Sequence, residues 1–392
     1  MNQGIYMSLI LAFVCAAAVA FAATPAAKRF AFAVGAVDKP GGRHIHKKPT
    51  ALMGGLAIFL GFVVSLLIFG SMDRQMASIL IGALIIVTVS AFDDIFDLPA
   101  WLRLGIHVLA ALSPVLFGGI RIEQLSALGF GLDAEFSLGA LSVPITVLWI
   151  VGVTNAVNWI DGLDGLAAGV SGIAALSMLV ISCLLGNFYV ALIMAALSGA
   201  VVGFIPYNLH PAKIFMGDTG AMFLGYMLGV MSIQGLFKFY VVVSFVVPFL
   251  VVGIPILDMV VTIFRRLRHG QSPMAGDRAH VHHRLIDMGF TQRQTVAILY
   301  CISGVLGISA VVMTVSGEIK AILLLFAVIL AAVFGIILIA KREQCPENPE
   351  HMSETDAAAQ PPMKSPDAGG EDKIGDSPSV SSRTDTKYDE KT

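Results

Sequence analysis

Charge is what this sequence has least of. Asp, Glu, Lys and Arg make up 13% of its 392 residues while 56% are hydrophobic, a balance that excludes a water-soluble globular chain. Cysteine is also sparse. Cys15, Cys183 and Cys301 fall inside apolar runs and Cys345 in a polar tail, with no Cys-x-x-Cys pair. Neither a disulfide framework nor a cysteine zinc site is therefore expected. No His-Glu-x-x-His motif occurs, no basic residue precedes the first apolar run, and no internal repeat is evident. These absences argue in turn against a zinc site at the histidines, a cleaved signal peptide and a coupled transporter. No nucleic-acid partner is expected.

What is there is apolar length. Runs long enough to cross a hydrocarbon core follow one another at 5–23, 52–69, 76–92, 104–117, 143–158, 165–185, 188–205, 220–236, 240–264, 295–314 and 319–340. They predict an all-α polytopic membrane protein of about eleven spans over residues 1–342. Residues 343–392 are rich in Glu, Asp, Ser, Pro and Lys, with few large apolar side chains. Too little surface could be buried there to offset ordering, so a disordered tail is expected.

Alternating the spans puts Lys28, Arg29, Lys39, Arg43, Lys47, Lys48, Arg103, Lys213, Arg265, Arg266, Arg268, Arg278, Arg284 and Arg293 on one side. Only Arg74, Arg121, Lys238 and Lys320 lie on the other. The positive-inside rule makes the first side cytoplasmic, with the N-terminus outside and the tail inside. On the outer side, 119–142 carries a mixed alternation that suggests a short hairpin.

The chain is organised around Asn155-Ala-Val-Asn158-Trp-Ile-Asp161-Gly-Leu-Asp164-Gly. Polar groups withdrawn from water without partners are costly, so an apolar chain keeps them for a cavity, an ion or a ligand. Three-residue steps rotate about −60° on an α-helix, so Asn155 and Asn158 share a face but Asp164 would lie opposite Asn155. One continuous helix cannot converge all four. The glycines predict a span ending near Trp159, a turn, and a new helix by Gly165 with Asp161 and Asp164 at its start.

Three further polar clusters fall on the same predicted side. In Asp93-Asp94-x-x-Asp97-Leu-Pro99, adjacent like charges can raise one pKa and make a base. In Asn208-Leu-His210-Pro-Ala-Lys213-Ile-Phe-Met216-Gly-Asp218-Thr-Gly220, Asp218 can hold a hard cation, and Mg²⁺ or Mn²⁺ with oxygen donors is the natural choice. The third is His280-x-His282-His283-Arg284-Leu, near Arg278, which suits phosphate and sugar hydrogen bonding better than zinc. Asp258, inside an apolar run, is expected to lock a nearby arginine, and His107 to be a satisfied interhelical histidine.

Together these segments resemble the polyprenyl-phosphate N-acetylhexosamine-1-phosphate transferases (the MraY, WecA and TagO group) over residues 5–340. The spaced histidines are more similar to the WecA/TagO branch than to MraY. That resemblance implies transfer of N-acetylglucosamine-1-phosphate from a UDP-sugar to undecaprenyl phosphate at the inner membrane face. UMP would leave, and a cell-envelope polysaccharide such as teichoic acid or O-antigen would be initiated. A phospho-MurNAc-pentapeptide transferase is the alternative. By the same resemblance Asp218 and Asn158 would ligate Mg²⁺, Asp93 or Asp94 would position or deprotonate the lipid phosphate, and Arg103 would balance phosphate charge. Asp164 would read the uracil, with Asn155 and Asp161 also on the substrate side. His280, His282, His283 and Arg284 would contact pyrophosphate or sugar, and Lys47 or Lys48 would lie beside the nucleotide. Membrane lipids and a homodimer complete the implied partners. Ala221 stands where the family usually has Ser, and Ala51-Leu52 where this branch often has Pro-Arg.

Overall fold

A computed structural model describes residues 3–38, 49–126, 135–237, 246–268 and 280–316. They fall within one compact unit, Met1–Val333. The predicted span at 319–340, the boundary at Arg342 and the tail lie outside the described residues.

The chain is a bundle of helices. In order they are α1 (Gln3–Val34), α2 (Gly55–Phe69), α3 (Arg74–Phe96), α4 (Ala100–Leu112), α5 (Ser142–Trp159), α6 (Leu166–Leu184), α7 (Phe188–Asn208), α8 (Gly217–Ser232), α9 (Val246–Val251), α10 (Gly253–Arg268), α11 (Val281–Asp287) and α12 (Gln292–Ser316). Two small antiparallel ribbons join them: β1 (Val37–Asp38) with β2 (Thr50–Ala51), and β3 (Gln124–Ser126) with β4 (Glu135–Ser137). The second ribbon is the hairpin expected between 119 and 142. Seven described helices are long and apolar enough to cross a membrane, and α2 is a shorter apolar helix. The protein is therefore a multi-pass α-helical membrane protein.

Two expected spans have different forms. The run at 240–264 is not one helix, because α9 ends at Val251 and α10 begins at Gly253. Hydropathy averages over such a break. Pro255 sits in the first turn of α10, where its missing N–H costs no intrahelical bond. The first run continues through Pro25 to Val34, so Lys28 and Arg29 ride on α1 instead of following it.

α8 is the centre of the bundle. All its residues except Asp218 are buried, and it packs against α2, α3, α5 and α6. A helix apolar all round belongs inside, and the small residues Gly220, Ala221, Gly225 and Gly229 let neighbouring backbones come close. Its one charged side chain, Asp218, stands in the first turn, where the core opens. The segment leading into α8 is held by backbone bonds: Phe215 N–H donates to Ala51 C=O, Gly54 N–H to Phe215 C=O and Gly55 N–H to Met216 C=O, each 2.9 Å.

Candidate active site

A cavity of about 660 Å³ opens at one end of the bundle, and all four polar clusters contribute to its walls. Asp93, Asp94, Asp97 and Arg103 come from the α3–α4 corner. Asn158, Asp161 and Asp164 come from the α5–α6 turn, Asn208, His210 and Asp218 from the α7–α8 connection, and His283 from α11. The predicted break is found: α5 ends at Trp159 and Gly165, at φ +79°, turns the chain into α6. That left-handed turn favours glycine because it lacks a Cβ.

The α3–α4 corner is fixed by its own carboxylates. Asp97 ends α3 in the left-handed region, at φ +50°. Asp93 accepts from Leu98 N–H at 2.6 Å and from an Arg103 guanidinium nitrogen at 2.9 Å. The same nitrogen reaches Asp218 at 3.2 Å. Asp94 spans to α8, accepting from Asp218 N–H (2.8 Å), Thr219 N–H (3.2 Å) and the Thr219 hydroxyl (2.6 Å). Gly217, at φ +71°, is needed there, since a Cβ would stand 2.6 Å from an Asp94 oxygen. Neither carboxylate of the pair is idle. Both hold the groups around Asp218 in place.

Asn158 donates to the other Asp218 oxygen at 2.7 Å. Asn155, one turn earlier, does not line this cavity: its amide donates to Val151 C=O and meets His107 Nδ1 at 3.3 Å. A shared helix face therefore separates them by depth, and Asn155, expected on the substrate side, forms an interhelical pair with His107.

Asp164 accepts from Ala212 N–H at 3.1 Å and pairs with His210 Nδ1 at 2.7 Å. Arg293 donates to His210 C=O at 3.3 Å, and the Tyr300 hydroxyl donates to Gly165 C=O at 2.5 Å, so α12 buttresses this wall. Asp161 takes no hydrogen bond from any described side chain. Burial, then the carboxylates of Asp94 and Asp164, push its carboxyl up to about 7.

That shift has a sign. The native protein binds this proton more tightly than the unfolded chain, so Asp161 erodes stability as pH rises between roughly 4 and 7. Protein held in chelator should melt higher at pH 6 than at pH 8, and Asp161→Asn should reduce the difference by about 2 °C or more. Identical slopes in the two proteins would clear Asp161 of the effect.

The histidine motif divides. His280 Nδ1 meets Asp258 at 2.7 Å, and Val281 N–H donates to the other Asp258 oxygen at 2.8 Å. Asp258 thus holds a histidine where an arginine was expected. It ties α10 to the start of α11, beside Trp159, over which Arg266 lies at 5.9 Å. His282 is buried behind Gly162, its Nε2 without a hydrogen-bond partner. Burial, then His283 and His280, push it down to about 3, so it is neutral at physiological pH. Only His283 of the motif lines the main cavity. Arg284 lines a separate one. The four were expected to act together, but consecutive residues on a single helical turn point different ways. Lys47 and Lys48 lie outside the described residues.

Asp38, His210 and Gln292 also line the cavity and were not singled out as site residues. His210 had a signal, since it belongs to the Asn208–Gly220 cluster. A lone Gln at a helix start and an Asp next to a basic loop carry none.

Among the described residues no three His, Cys, Asp or Glu side chains form a ready metal cage. Mg²⁺ takes one or two protein ligands and completes its shell with water and substrate phosphates; Asp218 and the Asn158 amide oxygen would supply those ligands once the Asn158 amide turns over and an Asp218 oxygen is released from its present donors, Asn158 and Arg103.

Residues 76–236 match the family described as Glycosyl transferase family 4. The chain is 39% identical over 335 residues, 84% of its length and 93% of the relative's, to a Bacillus subtilis protein named "Probable undecaprenyl-phosphate N-acetylglucosaminyl 1-phosphate transferase". It is 32% identical over 330 residues (77% and 81%) to a Mycobacterium tuberculosis decaprenyl-phosphate N-acetylglucosaminephosphotransferase. It is 29% identical over 290 residues (73% and 79%) to a Yersinia pestis undecaprenyl-phosphate alpha-N-acetylglucosaminyl 1-phosphate transferase.

Proposed function

Because the chain belongs to the polyprenyl-phosphate N-acetylhexosamine-1-phosphate transferase family and transfers N-acetylglucosamine-1-phosphate to a polyprenyl phosphate, we propose that its donor is a UDP-sugar, its acceptor undecaprenyl phosphate and its leaving group UMP. The observation that carries this is the convergence of all four clusters on one cavity at one end of the bundle. A soluble nucleotide and a lipid-borne phosphate can meet only at a membrane surface. The excess of Lys and Arg in the loops on that side supports a cytoplasmic orientation.

Phosphoryl transfer asks mainly for positioning and for charge to be neutralised. Asp218 and Asn158 would hold Mg²⁺, which supplies positive charge beside the donor's phosphates. Arg103, oriented by Asp93, adds a fixed cation next to Asp218. Asp94 keeps the first turn of α8, and hence Asp218, at its place. A phosphate monoester has its second pKa near 6, so the acceptor is mostly ionised at neutral pH and needs little help from a base. Asp93 and Asp94 then serve by placing Arg103 and Asp218 more than by taking a proton. Asp164, with His210, forms the wall offered to the uracil.

The test is purified protein with Mg²⁺, undecaprenyl phosphate and radiolabelled UDP-sugars, asking which label becomes lipid-soluble. UDP-N-acetylglucosamine is expected. Label from UDP-MurNAc-pentapeptide instead would return the alternative. For the nucleotide wall, Asp164→Ala should weaken UDP binding by about tenfold, the worth of one charge-assisted hydrogen bond. Calorimetry that finds UDP affinity unchanged would take Asp164 out of the uracil pocket.

A further inference from the structure

α10 turns its apolar stripe outward. Leu257, Val260, Val261, Phe264 and Leu267 are about half exposed or more, while Asp258, Thr262 and Arg266 on the opposite side are buried. This is the reverse of a helix on a soluble core and suits one whose outer face meets acyl chains. Where the stripe ends, a second cavity of about 610 Å³ is lined by Val260, Val261, Phe264, Arg265, Arg268 and Arg284. Three of its six lining residues are arginines and none is acidic. The Arg268 guanidinium lies over the Phe264 ring at 5.7 Å, which places its charge at the edge of the apolar wall. Arg284 brings a second guanidinium from α11.

We propose that this cavity binds the headgroup phosphate of an anionic glycerophospholipid of the surrounding bilayer, with an acyl chain along the outer face of α10. Planar guanidinium forks match phosphate oxygens, and cations at a bilayer surface select anionic lipids. The apolar half of the lining favours a lipid over a free phosphate or a nucleotide. The occupant is not the transfer acceptor. An acceptor phosphate must react beside Asp218, and none of the six residues lines the cavity that holds Asp218. The inference does not depend on the transfer reaction, since it rests on the outer face of α10 and α11.

The test is lipid retention, without donor or turnover. Protein exchanged in nanodiscs of mixed phosphatidylcholine and phosphatidylglycerol is released and its bound lipids are counted by native mass spectrometry. Wild type should retain phosphatidylglycerol preferentially. R268Q/R284Q should lose that preference by roughly twenty-fivefold, about fivefold for each arginine removed. R268K/R284K, which keeps the charge and loses the fork, should fall between the two, and that separates lost charge from a misfolded protein. An unchanged preference in R268Q/R284Q would overturn the proposal. So would displacement of phosphatidylglycerol from wild type by stoichiometric undecaprenyl phosphate, which would make the cavity part of the acceptor's path.

Discussion

Asp218→Ala should lower transfer by roughly a thousandfold or more while leaving the melting temperature within a few degrees of wild type. The activity half follows from position. Asp218 is the one charged residue of the central helix, it stands at the cavity wall, and Asn158 and Arg103 both converge on it. Losing its carboxylate removes the proposed metal ligand and one of the two acids that aim Arg103. The stability half follows from charge. Asp218 carries the cost of burying a carboxyl group, with Asp93 and Asp94 close by, so its removal ends that cost and offsets much of the two lost hydrogen bonds. Incorporation of label from UDP-N-acetylglucosamine into lipid measures the first, and thermal unfolding in detergent the second. A variant that folds and turns over at near the normal rate would remove Asp218 from the metal site.

Which parts of this site could be read from the sequence follows a physical division. The break between Trp159 and Gly165 was legible because a turn leaves a local signature: glycines beside carboxylates in an apolar run. The convergence of the clusters was legible because alternating the apolar runs assigns all four polar clusters to the same side. What each carboxylate does was not. Asp93 and Asp94 read as a like-charged pair able to make a base, and only the long-range bonds to Arg103 and to the start of α8 favour anchors. The same holds for the pairing of Ala51, Gly54 and Gly55 with Phe215 and Met216, since backbone bonds between distant segments have no periodicity to announce them. Asn155 shows a finer limit. Helical geometry gave its face, but reaching the cavity or stopping one turn short at His107 depends on where the cavity ends. Arg284 was grouped with the histidines by adjacency, and adjacency on a helix separates side chains by about 100°.

Asp94→Ala should cost both stability and activity, and the coupling of the two is the point. Asp94 accepts three hydrogen bonds from the first turn of α8, from Asp218 N–H, Thr219 N–H and the Thr219 hydroxyl. Deleting the acceptor strands those donors beside Gly217, where the backbone conformation is already specialised. A loss of about 3 kcal/mol is expected, within the range for unsatisfied groups that had a charged partner. Transfer should fall a hundredfold or more because Asp218 loses its support. Asp94→Asn separates anchor from base. With its oxygen toward Thr219, an amide still accepts the two bonds from Thr219 N–H and hydroxyl and gives up only the one from Asp218 N–H, so an anchor is partly restored and stability and transfer should recover in part and together. A general base has no such rescue: Asn at this position would fold like wild type and turn over as slowly as Ala. Thermal unfolding set beside label transfer for the two variants distinguishes these outcomes, and full stability with no recovered activity in Asp94→Asn would give the proton back to Asp94.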